Sequence, residues 1–408
     1  MAEANEILLQ AKGLTKVFST GRKGQVVHAV SQVDLTIYRG ETLALVGESG
    51  CGKSTLGRTL IRMLPATAGQ VLFCGQDITA MNDKQFRPLR RRLQMVFQDP
   101  YASLDPRMKV RDIIAEPLDT YRVCPSRDET TRRVLELMQA VGIPAEFLNR
   151  YPHQFSGGQR QRIGIARAIA LQPDLIVCDE PVSALDVSVQ SQVLNLLKDL
   201  QQQFGLTYLF IGHDLSVINF IADRVCVMFL GTVCEISPKE ELYARPLHPY
   251  TSFLLDAIPK ADPHQRDRHR QVLAGEVPSP LDLPSGCCFR TRCPYATDRC
   301  AAERPALRPV GDRLVACHRA EELQLGGCAA RCVNVPRPSP SAGAPAQAVC
   351  TAGGRAVRRR GGALPWRRFP GRSRAADSPC QTESPRCHRL LNRPRLCRQY
   401  KKAPGAGI

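Results

Sequence analysis

The residues best equipped for chemistry form one short loop, which reads Gly-Glu-Ser-Gly-Cys-Gly-Lys-Ser-Thr. Its glycines let backbone N–H groups surround an anion, and a following helix would add the positive end of its dipole. Lys53 offers a charge for the β- and γ-phosphates of a nucleotide, and Ser54 offers a hydroxyl for Mg²⁺. The pattern predicts a phosphate-binding loop. Its predicted contact residues are Gly47, Glu48, Ser49, Gly50, Cys51, Gly52, Lys53, Ser54 and Thr55.

Two adjacent carboxylates end a second apolar segment. The run Leu175–Cys178 reads as a buried strand, and Asp179 and Glu180 follow it directly. A buried charge is costly unless it has a partner, so this pair indicates a functional role. Beside a phosphate-binding loop, Asp179 is predicted to support Mg²⁺ from behind its direct ligands. Glu180 is predicted to orient or deprotonate an attacking water.

Two further polar side chains follow segments that read as strands. Gln98 comes after the apolar run Leu93–Phe97, and His213 comes shortly after Tyr208–Ile211. The carboxyl ends of parallel strands form the edge of a sheet at which ligands bind. Gln98 is therefore predicted at that edge, and His213 is predicted to sense a γ-phosphate beside Glu180.

A second helix start also has the character of an anion site. Ser156, Gly157, Gly158 and Gln159 open a helix that is predicted to run to about Leu171. Ser156 is a good N-cap, and the two glycines expose backbone N–H groups at the positive end of the helix.

The elements around the loop read as an α/β fold. Leu43–Val46 is a short apolar strand directly before the loop, and Leu56–Leu64 reads as a helix closed by Pro65. Residues 7–46 alternate apolar and polar types, which predicts antiparallel strands joined by glycine-containing turns. Phe18 is expected in the first connection, where its ring would either stack on an adenine or fill the core.

The next long segment, residues 101–154, reads as helical. Its prolines are predicted to break it into short pieces, because proline removes a helix hydrogen bond. These are Pro106, Pro117 and Pro125.

The composition predicts a chain that stays in the cytoplasm. Hydrophobic residues make up 43% of it, enough for a large core. No apolar run approaches the ~18–20 residues of a membrane span, and the acidic start resembles no signal peptide. Of the net charge of +18, residues 326–408 contribute +15, from fifteen Arg and two Lys against two acidic residues. The basic character therefore belongs to a terminal region, and nucleic acid is not an expected partner.

Taken in order, these motifs resemble the ATP-binding cassette (ABC) family. The Walker A loop, the Q-loop Gln98, the signature at Ser156, the Walker B strand ending at Asp179-Glu180 and the switch histidine His213 all appear once. The resemblance implies a P-loop NTPase fold with an antiparallel β subdomain, a helical subdomain and a small Cys-rich C-terminal element. The domains it implies are 5–245 (ATP-binding, with the helical subdomain at about 99–154), 246–322 (Cys-rich region) and 323–408 (basic Pro/Arg-rich region, expected to be disordered).

Two more distal motifs narrow the resemblance to the oligopeptide/dipeptide importer ATPases. They are Pro-Leu-His-Pro-Tyr-Thr at 246–251 and Gly-Glu-Val-Pro-Ser-Pro at 275–280. The resemblance implies an ATP-hydrolysing subunit on the cytoplasmic face of the membrane. Its partners would be two permease subunits, a second ATPase subunit and, indirectly, an extracytoplasmic solute-binding protein. Nickel or glutathione uptake, and a soluble ABC ATPase outside transport, are the alternatives.

In this family, two cassettes meet head to tail around ATP. The resemblance implies that Ser156, Gly157, Gly158 and Gln159 act on a nucleotide held by the partner subunit. It also implies that Glu180, His213 and Gln98 are the catalytic residues and that Ser54, Gln98 and Asp179 serve Mg²⁺. Gln98 would link γ-phosphate occupancy to the helical subdomain.

Five of the 17 cysteines crowd into residues 287–317. In a reducing cytosol such thiols suggest a metal site more than disulfides, although the intervals are not those of zinc C-x₂-C pairs. Four thiolates suit a [4Fe–4S] cluster or zinc, and unligated thiols are the third reading. The family resemblance implies the iron–sulfur cluster. The candidate ligands are Cys287, Cys293, Cys300 and Cys317.

The Arg-rich region from about residue 325 has too few aliphatic residues to form a core, which predicts disorder. Such stretches can bind nucleic acid or anionic lipid. We favour the simpler hypothesis that this region is an unselected, out-of-frame extension. Truncation at Gly326 is then expected to leave ATPase activity and transport intact.

Overall fold

Two β-sheets carry the residues that the sequence singles out. The computed structural model describes residues 6–21, 25–258, 276 and 278–327, all within one compact unit of the chain. The strands, in chain order, are β1 (Ile7–Ser19), β2 (Val26–Tyr38), β3 (Thr42–Val46), β4 (Ala68–Phe73), β5 (Gln76–Asp77), β6 (Leu93–Val96), β7 (Leu175–Asp179), β8 (Thr207–Ile211), β9 (Arg224–Phe229), β10 (Thr232–Pro238), β11 (Arg308–Val310) and β12 (Arg313–Val315).

Helices pack around these sheets. They are α1 (Lys53–Leu60), α2 (Asp83–Arg90), α3 (Val110–Thr120), α4 (Arg127–Ala140), α5 (Gly157–Ile169), α6 (Val187–Phe204), α7 (Leu215–Ile221), α8 (Lys239–Ala244), α9 (Pro249–Asp256) and α10 (Asp298–Ala302). No helix of the described ranges has the length and apolar character needed to cross a membrane.

The smaller sheet is antiparallel, with strand order β2-β1-β4-β5, as the alternating sequence predicts. Strands β1 and β2 pair along their whole lengths, from Ile7 opposite Tyr38 to Ser19 opposite Val26. Phe18 therefore lies near the C-terminal end of β1, opposite Val27. The prediction that it lies in a connection between strands is wrong. The strand continues because the ladder to β2 continues through this position.

The larger sheet has strand order β11-β12-β10-β9-β3-β8-β7-β6, with β9, β3, β8, β7 and β6 parallel to one another. Strands β3, β7 and β8 have five residues each, and every one of these residues is buried. Continuous apolar runs of this kind are typical of parallel strands that are covered on both faces. Every parallel strand thus presents its carboxyl end at one edge, which is where the predicted site residues follow.

Helix α1 differs from its prediction at both ends, because it begins at Lys53 and ends at Leu60. Its first turn closes through the Leu56 N–H and the Gly52 carbonyl, 2.8 Å apart. At the other end Arg62 adopts a left-handed φ of 55°, and the Met63 N–H bonds to the Arg58 carbonyl at 2.8 Å. This cap pattern terminates the helix well before Pro65.

The segment 101–154 is helical, as predicted, through α3, α4 and two short 3₁₀ turns. The prediction that Pro117 breaks it is wrong, because Pro117 lies inside α3. The cost of a missing helix hydrogen bond is offset by burial of the apolar face. That face consists of Val110, Ile113, Ile114, Ala115 and Leu118.

The described part of the C-terminal region packs onto the core of the two-sheet fold. Phe289 is buried against Tyr250 of α9 and Phe229 of β9, with ring centroids 5.3 Å from each. Strand β12 extends the large sheet by pairing with β10. The positions from residue 328 onward, which include most of the predicted basic region, lie outside the described residues.

Candidate nucleotide-binding site

One edge of the large sheet gathers the residues singled out from the sequence. Strand β3 leads into the Walker A loop, and β7 ends at Asp179. Residues Gln98 and His213 follow β6 and β8, which run parallel to β7 on its two sides. The alignment of four carboxyl ends creates a single polar edge, and parallel α/β sheets bind ligands at such edges.

The lysine of the Walker A loop bonds to the backbone of its own loop. The Lys53 ammonium group donates to the carbonyl oxygens of Gly47 and Glu48, at 2.9 Å and 3.0 Å. Gly52 is the N-cap of α1, and no side chain caps the first turn in the described structure. The first N–H groups of α1 are thus available to an anion, and Lys53 would exchange its two carbonyl partners for phosphate oxygens.

Two of the loop glycines are required by close backbone approach. A Cβ on Gly47 would lie 2.2 Å from the Met228 carbonyl oxygen, and one on Gly52 would lie 1.9 Å from the Ala29 carbonyl oxygen. Both residues also have positive φ angles, 151° and 101°. The loop is therefore wedged between β2 and β9, which fixes its shape. Burial in this wedge raises the pKa of the Cys51 thiol.

Asp179 is completely buried and accepts two hydrogen bonds from α1. Its carboxylate accepts from the Ser54 hydroxyl at 2.6 Å and from the Arg58 guanidinium at 3.1 Å. Arg58 was not predicted, although Ser54 and Arg58 are four residues apart and share one helix face. The buried charge is thus paired, and the hydroxyl proposed for Mg²⁺ is held against the carboxylate proposed to support that ion.

Glu180 lies in a small network with the other two predicted catalytic residues. The Gln98 amide donates to its Oε2 at 2.9 Å, and the His213 Nδ1 lies 3.4 Å from the same oxygen. Glu180 has a left-handed φ of 45°, which is uncommon for a residue with a side chain. Its N–H bonds to the Ile211 carbonyl at 3.0 Å, so the neighbouring strand holds it in this conformation.

Ser156 caps helix α5, as predicted. Its hydroxyl accepts from the Gln159 N–H at 3.3 Å, and the Gln159 side chain accepts from the Ser156 N–H at 3.1 Å. Behind them, a Cβ on Gly158 would lie 2.3 Å from the Val189 side chain in α6. Gly157 and Gly158 therefore let α5 approach the segment that follows the Walker B strand, while Ser156 itself stays exposed.

Phe18 is partly exposed and has the Lys16 ammonium group 5.0 Å from its ring centroid. The exposed ring keeps the adenine-stacking prediction open and argues against the alternative of a core phenylalanine, since fully buried rings form the core here.

Glu48 makes two contacts that sequence reasoning missed. Its N–H donates to the Tyr250 hydroxyl at 2.9 Å. Its carboxylate accepts from one nitrogen of Arg292 at 3.0 Å and 3.3 Å. The partners lie 202 and 244 residues away in the chain, so no local pattern could have indicated them.

The four candidate metal ligands line one small cavity of about 20 Å³, together with His248 and Phe289. Burial raises the pKa of Cys287 to about 12 and that of Cys293 to about 11, and it also raises that of Cys317. Within the described ranges, no group of three or more His, Cys, Asp or Glu side chains is arranged to hold a metal ion. The four predicted ligands are thus brought to one cavity, without the close arrangement that a bound metal imposes.

The two sheets, the Walker A loop and the polar sheet edge define a P-loop nucleotide-binding protein of the ATP-binding cassette class. The ABC transporter family profile matches residues 30–183, and the profile of the oligopeptide/dipeptide transporter C-terminal region matches residues 234–300. The chain belongs to the ABC transporter family, as an ATP-binding subunit of the oligopeptide/dipeptide branch, so the predicted family and the ABC ATPase fold are confirmed.

Curated relatives are similar to this chain over nearly their whole length. A Bacillus subtilis protein named for ATP binding in oligopeptide transport is 53% identical over 313 residues, which are 76% of this chain and 95% of that protein. A Brucella ovis protein named for ATP binding in peptide import is 52% identical over 303 residues, or 74% and 94% of the two chains.

Solved structures agree with this fold. A dimeric ATP-binding cassette in a post-hydrolysis state, bound to ADP and Pi, is 31% identical with a TM-score of 0.53, covering 57% of this chain and 99% of that one. The cbiO1 subunit of a Clostridium perfringens ABC transporter complex is 28% identical with a TM-score of 0.52, covering 58% and 91%.

Proposed function

We propose that this protein hydrolyses ATP to power the import of peptides through a membrane transporter. The observation that carries the proposal is the polar sheet edge, where Ser54 bonds to Asp179 and where Glu180 meets Gln98 and His213. The names of the curated relatives support the peptide class. Nickel and glutathione uptake are the alternatives, because the substrate is chosen by subunits outside this chain.

The Walker A loop binds the nucleotide in this proposal. Lys53 leaves the Gly47 and Glu48 carbonyls and pairs with the β- and γ-phosphates. The other loop residues, from Gly50 to Thr55, surround the phosphates with backbone N–H groups. Phe18 stacks on the adenine ring.

The catalytic step belongs to the Glu180 network. Glu180 accepts a proton from, or orients, the attacking water, and His213 and Gln98 sense the γ-phosphate through the same carboxylate. Mg²⁺, when bound, neutralises phosphate charge. Ser54 would ligate it directly, with Gln98 beside it and Asp179 holding the Ser54 hydroxyl.

The working unit is a dimer of cassettes, and each nucleotide is enclosed by two of them. Ser156, Gly157, Gly158 and Gln159 act at the nucleotide of the partner subunit, where the capped start of α5 supplies N–H groups to the γ-phosphate. Loss of that phosphate on hydrolysis removes the bridge and allows the dimer to open. Two permease subunits receive this motion through the helical subdomain, and a solute-binding protein delivers the substrate.

The protein is therefore placed at the cytoplasmic face of the membrane, held there by its permeases. Reconstitution in vesicles with permease subunits, a second ATPase subunit and a solute-binding protein from the same organism tests the proposal. Labelled di- and oligopeptides are expected to accumulate in an ATP-dependent manner, and Lys53→Ala is expected to abolish both ATP binding and uptake. Accumulation of Ni²⁺ or glutathione in place of peptides would reject the substrate class but keep the ATPase.

We also propose that the cavity lined by Cys287, Cys293, Cys300 and Cys317 is where a [4Fe–4S] cluster or zinc binds. The shared cavity and the four-thiol donor set support this, and ligation requires the thiols to lose their protons. Protein purified without oxygen is expected to contain iron with visible absorbance, or zinc without it. A protein free of both metals would reject the site.

A further inference from the structure

Glu48 connects the Walker A loop to the Cys-rich region, because its polar groups bond to both. Its carbonyl oxygen accepts from the Lys53 ammonium group at 3.0 Å. On the opposite side, its N–H donates to the Tyr250 hydroxyl and its carboxylate accepts from Arg292. The Glu48 peptide is therefore held between the residue that binds phosphate and two residues of the C-terminal region.

The two distal partners are rigidly placed. Tyr250 is fully buried, and its ring packs on Phe229 at 4.8 Å between centroids. The Arg292 side chain is only 9% exposed, and its N–H bonds to the carbonyl of the buried Phe289 at 3.0 Å. The ion pair is buried at Arg292 and partly buried at Glu48, whose side chain is 27% exposed, and breaking it would leave the buried Arg292 charge without a partner.

This arrangement bears directly on nucleotide binding. Lys53 must exchange the Gly47 and Glu48 carbonyls for phosphate, and the loop must keep its shape while that exchange takes place. A Glu48 peptide fixed by Tyr250 and Arg292 keeps the loop in one conformation before and after the exchange. Preorganisation of this type raises affinity because less conformational freedom is lost on binding.

We propose that Tyr250 and Arg292 are positioning residues for ATP binding, and that the segment 287–300 sets nucleotide affinity through them. The inference rests on the proposed nucleotide site. Neither residue touches the nucleotide in this scheme, so both act through Glu48. The state of the Cys-rich segment is thereby coupled to the Walker A loop, since Arg292 directly precedes Cys293, which lines the thiol cavity.

The test measures the affinity of the full chain for a fluorescent ATP analogue, together with kcat and KM for ATP. Tyr250→Phe and Arg292→Gln are each expected to weaken binding about tenfold and to raise KM in parallel, with kcat at saturating ATP within about twofold of wild type. Arg292→Lys retains the charge and is expected to recover part of the loss.

Matched controls separate this role from a general loss of structure. Arg290→Gln removes an arginine of the same segment whose side chain, among the described residues, donates to the Ser285 carbonyl and hydroxyl. Tyr208→Phe removes a buried hydroxyl that donates to the Leu197 carbonyl. Both controls are expected to bind ATP like wild type.

A double-mutant cycle with Glu48→Gln and Arg292→Gln tests whether the two residues act on ATP binding as a pair. Coupling predicts that the double variant binds about as well as either single variant, whereas independent losses would multiply and would overturn the inference. Wild-type affinity in Tyr250→Phe and Arg292→Gln would also overturn it. If wild type itself failed to bind ATP, or bound it no better than Lys53→Ala, the proposed function would fail instead.

Discussion

Replacement of Glu180 by glutamine tests the proposed catalytic network most directly. The Glu180 carboxylate is mostly shielded, with 17% of its side chain exposed, and it receives the Gln98 amide at 2.9 Å. Glutamine has nearly the same shape and retains an oxygen that can accept this hydrogen bond. Glu180→Gln therefore removes charge and basicity while leaving the local contacts in place.

The expected size of the effect follows from the role assigned to the carboxylate. A positioned general base contributes about 10²–10⁴ in rate, which corresponds to about 3–5 kcal/mol of activation free energy. ATP affinity depends on Lys53, the Walker A backbone and Phe18, none of which bonds to Glu180. It is therefore expected to change by less than about threefold.

The assay is steady-state ATP hydrolysis by the full chain, with binding of an ATP analogue measured in parallel. Glu136→Gln is the matched control, because Glu136 is a half-exposed residue of α4 whose ion pair is with Arg133. Hydrolysis by Glu180→Gln at close to the wild-type rate would refute the assignment of the base. Loss of ATP binding in the same variant would show that the Glu180 carboxylate supports the Walker A loop and does not act on the attacking water.

Three other substitutions test separate parts of the structure. Gly158→Ala places a Cβ 2.3 Å from Val189 and is expected to lower the free energy of unfolding by about 1–3 kcal/mol in urea titrations, with recovery in the double variant carrying Val189→Ala. Burial lowers the pKa of His248 to about 3, so below about pH 6.5 the unfolded chain binds a proton that the folded chain does not. Between about pH 7 and about pH 5, wild type should therefore lose about 2 kcal/mol more unfolding free energy than His248→Asn, which keeps a side-chain acceptor for the Tyr250 N–H. Phe18→Ala is expected to weaken ATP binding about tenfold without weakening tripolyphosphate binding, because only the adenine ring would stack on it.

The sequence was most informative at positions where a reactive side chain directly follows a buried strand. Asp179, Glu180 and His213 were predicted at one sheet edge because continuous apolar runs identify parallel strands, whose carboxyl ends align. The Ser156 cap was also predictable, since its partner Gln159 lies three residues away. Residues of this kind can be predicted from the periodicity of a single helix or strand, without knowledge of how distant segments pack.

Tertiary packing accounts for what the sequence did not reveal. Pro117 stays inside α3 because the buried face of that helix outweighs one lost hydrogen bond, and composition does not display that balance. Arg58 was missed because the predicted helix began at Leu56 and left Ser54 outside it, whereas α1 begins at Lys53 and carries both residues on one face. Tyr250 and Arg292 were beyond reach, because their contact with Glu48 depends on how distant segments pack.

The exposure of their partners divides the carboxylates around the Walker A loop into two kinds, although the Glu48 side chain, 27% exposed, is itself more open than that of Glu180, 17% exposed. Around Glu180 the partners are open to water, since Gln98 is exposed and the His213 side chain is 59% exposed. Hydrogen bonds at such positions exchange with water or phosphate at small net cost, as a cycling catalytic network requires. The partner of Glu48, the Arg292 side chain, is 9% exposed. Loss of that hydrogen bond would leave the buried Arg292 charge without a partner. We therefore expect the Glu180 contacts to change during turnover and the Glu48 contacts to persist. Only the hydrogen bonds of Glu180 can be replaced by others at a small cost in free energy.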